Sequence, residues 1–336
     1  MPSVILHTMF GEDLVSALSA ELPAKKILSD FRSAFVLGCQ GPDIFYHNLK
    51  SKPVALQYGS LLHRRGYGTF SACLLNMGFS RAQKNEHVAY ALGFLTHAVL
   101  DRACHPFIIY FCGRNYHSFF ERIVDTLMLK KLRGLEPAFW DQERLLAEAC
   151  ENPPPGLKES IARCLAAAFG ERVNKDRSLA RRIDNAFIDC ARFYNMSSPS
   201  KIKETVGAAS GEKRLFSMRS LNYVYPENLP AEIDFLNLNH KPWRYPHIPA
   251  DGKMPKEDTR SFPEIYSDAL RLAIDTLAPV FTSHCGAFPP EETAEKIGNS
   301  CLSIQDENGK PCAANLTDPL PLDEVIEQQA KLRGIE

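Results

Sequence analysis

The 336-residue chain has no apolar run of the ~18 residues that a membrane-spanning helix needs. It has almost no net charge: 39 Lys and Arg against 40 Asp and Glu leave −1. No global positive field therefore draws in nucleic acid or an anionic membrane. No CxxC pair occurs, and the ten cysteines are scattered from Cys39 to Cys312. Alternation of β-branched residues is scarce, which disfavours strands. The opening MPSVILHTMFGEDLV lacks the basic segment, unbroken apolar stretch and small-residue cleavage site of a secretory signal. The expectation is a cytoplasmic protein whose thiols stay free and mostly buried.

What is present is helical periodicity. Residues 11–22 and 30–43 carry it, the second running to a Gly-Pro break. Residues 54–78 form a long amphipathic stretch with glycines placed to kink or end it. Residues 83–106 have an acidic start, an apolar middle and a Pro stop, the boundary signals of a helix. Residues 115–132 end with Lys130 and Lys131, which suit the helix dipole. Further helical stretches fall at 141–149, 157–170, 177–195 and 262–281. Residues 196–215 read as a capped helix or a linker, and the Pro-rich, aromatic 225–255 as a long surface loop. The expectation is an all-α protein with one domain over 1–282. Within it, 1–130 would hold the functional motifs, and 131–282 packing helices and the loop. Residues 283–336 would form a tail, helical near 322–333 and otherwise irregular.

The chemistry is concentrated in THAVLDRACHP, residues 96–106. His97, Asp101 and His105 stand at intervals of four, so one helical face carries all three. His117, Glu121 and Asp125 repeat that spacing on the next helix. Two helices presenting imidazole and carboxylate in this way are how helical bundles build internal metal sites. Residues 88–100 are apolar nearly all round, which places that helix at the centre. A carboxylate there is costly unless paired, and a divalent cation would compensate it. For either pair alone, a core hydrogen-bond network with Asp101 on Arg102 or a neighbouring helix is the alternative. Seven of the ten histidines lie in residues 1–121. His87 reads as a polar surface residue near a helix start, and His47 is ambiguous in its loop. His7, His63, His97, His105 and His117, with Asp43, Asp101 and Glu121, remain as candidate ligands. Three or four protein ligands per zinc would make two or three ions of that set, given one bridging carboxylate.

The ordered set resembles the bacterial zinc-dependent phospholipase C family over residues 1–130. It comprises His7, GPDIFYH around Asp43, LLHRR around His63, HAVLD at 97–101, CHP around His105 and HSFFERIVD at 117–125. The single-strand-specific zinc nucleases share that architecture. The resemblance implies an all-α bundle with a metal cluster in a cleft, holding two to three Zn²⁺. It puts His63, His97, Asp101 and Asp43 around one ion and His105, His117 and Glu121 around another. Asp101 would bridge to a third ion that also takes His7. Asp125 would orient a ligand imidazole, or be a solvated helix carboxylate. Secreted members complete the third site with an N-terminal tryptophan; this chain opens Met1-Pro2. Ile44 and Ser60 stand where the choline-specific member has aromatics, so no choline headgroup is implied.

The expected activity is phosphodiester hydrolysis by a metal-activated water, with Asp43 orienting or deprotonating it. The substrate would be a phospholipid or a related phosphodiester, with possible peripheral membrane contact and no stable nucleic-acid complex. Arg64 in the HRR run, and His240 and Trp243 in the aromatic loop, are candidate substrate contacts. Two alternatives stand. One is a zinc nuclease or nucleotide phosphodiesterase, supported by Arg64, Arg65, Lys241 and Arg244 near aromatics. The other is a non-catalytic helical binding protein stapled by zinc.

Overall fold

Helix α6 (Lys84–Cys112) is the axis of the molecule, and every residue from His87 to Asp101 on it is buried. The computed structural model describes residues 4–20, 22–47, 55–80, 84–113, 115–140, 142–197, 224–282 and 290–333. α1 (Val4–Ala17), α2 (Pro23–Asp30) and α3 (Arg32–Cys39) are followed by a 3₁₀ segment, Gly41–His47. α4 (Ala55–Arg64) and α5 (Tyr67–Ser80) lead into α6, and α7 (His117–Arg133) follows it. The next helices are α8 (Gln142–Glu151), α9 (Leu157–Phe169), the short α10 (Glu171–Asn174) and α11 (Leu179–Ser197). The C-terminal part adds α12 (Phe262–Thr282), α13 (Pro290–Ile297) and α14 (Leu322–Leu332). The only sheet among the described residues pairs β1 (Trp243–Arg244) with β2 (Glu257–Asp258), antiparallel, Trp243 facing Asp258. The chain is all-α, as its periodicity implies.

α6 packs against α3, α5 and α12. Its contact with α3 is a backbone-to-backbone crossing at two glycines. A Cβ on Gly38 would stand 2.1 Å from the Tyr90 carbonyl oxygen, and one on Gly93 would stand 2.2 Å from that of Phe35. Only glycine permits this approach, and it brings the end of α3 onto His97.

Four sequence expectations change. α6 runs through Pro106 to Cys112, because Phe107, Ile108 and Phe111 are buried beyond it. Their burial outweighs the ~3 kcal/mol that an interior proline costs. The amphipathic stretch 54–78 is two helices, broken at Gly66, whose φ is +77°. His87 is not a surface residue: it is buried, and a ring nitrogen lies 2.8 Å from the Pro155 carbonyl, joining α6 to the α8–α9 connection. The 225–255 loop is not merely superficial, since Phe235, Leu236 and Trp243 belong to the core. The expected helix or linker at 196–215 falls mostly outside the described residues.

The segment after α13 is bound to the helices over the cleft. Arg102 donates to the carbonyls of Ile297, Gly298, Ser300 and Cys301. Leu302 N–H donates to the His63 carbonyl at 2.7 Å. Gln305 bridges to Pro311, and the Asp306 carboxylate accepts from Asn308 and Lys310 N–H, both at 2.9 Å. The region expected as a tail is thus a hairpin forming one wall of the cleft.

Candidate metal centre

α6 brings His97, Asp101 and His105 to the floor of one cleft; α1 adds His7, the 3₁₀ segment Asp43, α4 His63, and α7 His117 and Glu121. All eight expected ligands fall into three groups, two of them sharing His97, and within each group the ligand atoms lie within 4.8 Å of one another. These are His7–Asp43–His97, His63–His97–Asp101 and His105–His117–Glu121. Asp101 is the hub: Oδ1 lies 3.2 Å from His7 Nε2, and Oδ2 lies 3.1 Å from His97 Nε2 and 3.6 Å from His63 Nε2. His63 Nε2 is also 3.0 Å from Asp43 Oδ1. Glu121 Oε1 lies 2.8 Å from His117 Nε2 and 3.6 Å from His105 Nε2. Arg102 does not pair with Asp101, because its guanidinium is committed to the hairpin carbonyls.

The histidines are oriented from behind. His97 Nδ1 meets the Cys39 carbonyl at 3.2 Å, His63 Nδ1 that of Gly59 at 2.8 Å, and His105 Nδ1 that of Leu302 at 3.0 Å. A carbonyl can only accept, so each Nδ1 carries the proton and each Nε2 turns a lone pair inward in the neutral ring. Gly41, at φ +55°, closes the assembly: a Cβ there would stand 2.4 Å from His97 Cγ.

Burial opposes charge on every carboxylate here, and the imidazoles decide the outcome. Burial raises Asp43, but His97 and His63 outweigh it and hold it below its ordinary value. Asp101 is held well below despite burial, chiefly by His105 and His97, and Glu121 is lowered by His117 and His105. In return, His63 is raised by Asp43 against burial, and His105 is pushed up to about 10 by Asp101 and Glu121. For the fully buried His97, burial wins and lowers it. The acids are ionised acceptors. Asp43 Oδ2, Asp101 Oδ2, Glu121 Oε2 and His97 Nε2 are buried without a hydrogen-bond partner. Orphaned carboxylate oxygens and an orphaned imidazole nitrogen at one point are the donor set that zinc takes.

The family model for zinc dependent phospholipase C matches residues 6–188, more than half of the chain. The chain belongs to the zinc-dependent phospholipase C family. No curated protein and no solved structure matches it. For this phospholipase C family member, a zinc-dependent family and a zinc-compatible donor set agree. No helix among the described residues is long and apolar enough to cross a membrane.

The remaining candidate residues separate. Arg64 lines the cleft, a space of about 330 Å³ that also exposes Asp43, Tyr46, His63, Asp101 and Glu121. Trp243 does not: it is a core residue packed on Phe107, with its indole N–H donating to the Arg260 carbonyl at 3.1 Å. His240 is exposed and holds its own loop, Nδ1 lying 3.0 Å from the Thr259 carbonyl. Neither lines the cleft. His47 is buried against Phe193 and Tyr194, and burial lowers its pKa to about 3, so it is a neutral core imidazole. Asp125 is bound to α1. Its carboxylate accepts the backbone N–H of Leu6 at 2.9 Å and of Ile5 at 3.3 Å. Both are free donors of the first turn of α1, so Asp125 caps the helix that carries His7.

Sequence reasoning missed the hairpin wall, which places Cys301, Ser303, Ile304, Pro311 and Cys312 beside the metal groups. The signal was Asn308-Gly309, a dipeptide that favours tight hairpin turns. It missed Tyr46 as well, whose hydroxyl lies 3.3 Å from His63 Nδ1.

Proposed function

We propose that the protein is a zinc-dependent phosphodiester hydrolase of phospholipase C type, acting on a phospholipid or a related phosphodiester. The observation that carries this reading is the gathering of eight imidazole and carboxylate ligands, six of them lining one open cleft and His7 and His97 buried beside them, several with orphaned atoms. Their grouping suits two to three zinc ions. His63, His97, Asp43 and Asp101 would hold one ion and His105, His117 and Glu121 another. His7 and Asp101 would contribute to a third. Zinc, when bound, supplies charge for the phosphate oxygens and a water that ionises near neutral pH.

The chain's own groups do the rest. Asp43 is fixed through Oδ1 by His63 and has Oδ2 free. Held low by its neighbours, it stays ionised and is a weak base, so it orients the attacking water by accepting a hydrogen bond rather than by taking its proton. The carbonyls of Cys39, Gly59 and Leu302 lock His97, His63 and His105 and prevent ring rotation during turnover. Arg64 at the rim offers a planar, permanently charged donor to the phosphate or the group attached to it.

The openness of the cleft weighs against a zinc-stapled scaffold without activity, since structural zinc sites are closed. Against a nuclease, Tyr46 is the only phenyl, phenol or indole ring in the lining among the described residues, where a strand needs successive stacking platforms.

The test is to count zinc in the purified protein and assay phospholipid, bis-nitrophenyl phosphate and single-stranded DNA in parallel. Two or more zinc per chain with phospholipid hydrolysis is the expected result. Asp43→Asn should keep its helical circular dichroism and lose turnover. Fewer than two zinc, or activity on DNA alone, overturns the assignment.

A further inference from the structure

Next to the metal cleft lies a second pocket, of about 780 Å³. The two share Arg64 and Pro311, so they adjoin at the rim. Its walls come from the end of α4 and from the hairpin. Arg64 and Arg65 stand on one side, Lys310 on the other, and Asn299, Ser300 and Asn308 supply neutral polar groups. Among the described residues, no acidic side chain and no aromatic ring lines it. Among the described residues, none of the three cations has an ion-pair partner. Asp306 of the hairpin accepts the backbone N–H groups of Asn308 and Lys310 and feels the Lys310 charge without forming an ion pair with it.

The pocket is also held in shape. Arg102, the residue after the hub Asp101, donates to the carbonyl of Ser300 in its wall and to those of Ile297, Gly298 and Cys301 on either side, and Leu302 N–H ties the same segment to the His63 carbonyl. Cys301 N–H donates to the Gly309 carbonyl at 3.0 Å, closing the turn that bears Lys310. Three cations at a fixed polar pocket, in a chain of net charge −1, make a local positive field without a global one. Arginine forks match phosphate oxygens, and such charge-assisted bonds are the strong ones. A quaternary ammonium would be repelled and would find no aromatic cage. A nucleobase would find nothing to stack on.

We propose that this pocket is the headgroup subsite and that it takes a phosphomonoester, so that the substrate class is a phosphodiester carrying a second phosphate on its headgroup. The inference rests on the hydrolase reading above. With the scissile phosphate at the metal groups, the headgroup crosses the rim at Arg64 and Pro311, and its phosphate meets Arg65 and Lys310.

The experiment compares the zinc-loaded wild type with the double variant Arg65→Ser/Lys310→Ser; both positions are exposed, and thermal melts confirm that the variant folds. Substrates are phosphatidylinositol and its monophosphate in neutral detergent micelles, and the deacylated glycerophospho form of the monophosphate. Loss of a hydrogen bond to a charged group costs on the order of 10–100-fold. The wild type should prefer the monophosphate by at least about tenfold, and the double variant should lose that preference. Hydrolysis of the deacylated form at a rate that falls in the double variant identifies a soluble source of the phosphate; hydrolysis of the lipid alone identifies a membrane source. Binding of inositol 4-phosphate, read by calorimetry, separates the two readings. If no phosphodiester is cleaved but the double variant binds at least about tenfold more weakly, the subsite stands and the hydrolase reading fails. Cleavage without headgroup preference, or a preference unchanged in the double variant, overturns the subsite. Single-stranded DNA cleaved faster than either lipid, with the same loss in the variant, overturns its assignment to a headgroup.

Discussion

Helix α7 carries acids and bases into two buried polar clusters, and the two solve the same problem differently. Glu121 faces His105 and His117, in a centre where inward carboxylate oxygens have no hydrogen-bond partner. The next residue, Arg122, is 2 % exposed and lies under the Tyr225 ring at 4.5 Å, with Nη1 3.6 Å from Glu143 Oε1. Tyr225 O–H donates to the same Glu143 oxygen. In the second cluster the chain supplies the cation itself. In the first it supplies an excess of acceptors aimed at one point and leaves the cation to come from outside. A buried acid is therefore informative by what faces it: Glu143 also has an orphaned oxygen, but a guanidinium faces it, whereas orphaned acceptors from several residues converging without an internal cation mark a metal centre.

Asp101→Asn tests the first half of that comparison and carries the largest expected effect. Hydrolysis should fall about 10³-fold, the upper end for losing one stabiliser of transition-state charge. Zinc at a thousandfold excess over its Kd should stabilise the wild type by about 4 kcal/mol, and most of that gap should vanish in the variant. Denaturant melts with and without chelator measure it, and an undiminished zinc response would break the comparison.

Arg122→Met tests the other half. Removing one partner of a buried pair costs about 3–5 kcal/mol, and the loss should be the same with and without zinc. Adding Glu143→Leu should recover much of it, since an apolar replacement of the whole pair is often neutral. A zinc-dependent loss would show that the two clusters are one.

The smallest effect is a pH dependence. Burial pushes the Glu143 carboxyl up to about 7 from 4.5, against the pull of Arg122 and of the Tyr225 hydroxyl. A raised carboxyl pKa favours the folded state in its protonated form. That contribution is complete below 4.5 and is lost as pH rises through 7. In urea melts, Glu143→Gln should therefore gain on the wild type across that window, by at most about 3 kcal/mol, and stay level above it. A constant difference at all pH values would remove the perturbed carboxyl from the account.

The ligand set was legible in the sequence because helix spacing is local. Four residues between His97, Asp101 and His105, and again between His117 and Glu121, put these groups on one face before any tertiary contact forms. The apolar run before them placed α6 at the centre for the same reason. Asp125 shows the limit. It continues the same face by spacing, yet it turns to the N–H groups of Ile5 and Leu6, far away in sequence. His87 shows it too, since its partner is the Pro155 carbonyl. Pro106 reads as a stop from local rules and is overridden by the burial of Phe107 and Phe111.

By itself, then, the sequence determined the all-α class, the central helix and the candidate ligands, because hydrophobic and chemical periodicity on a helix are short-range properties. Only the tertiary structure decided which nitrogen of each histidine turns inward. The carbonyls that hold them come from Cys39, Gly59 and Leu302, and the first reaches His97 only through the glycine crossing of α3 and α6. It also decided that residues 301–312 wall the cleft, since the bonds from Arg102 and to His63 join positions roughly 200 apart in the chain. Spacing along one helix cannot encode such closures; they form only when packing has brought the two segments together.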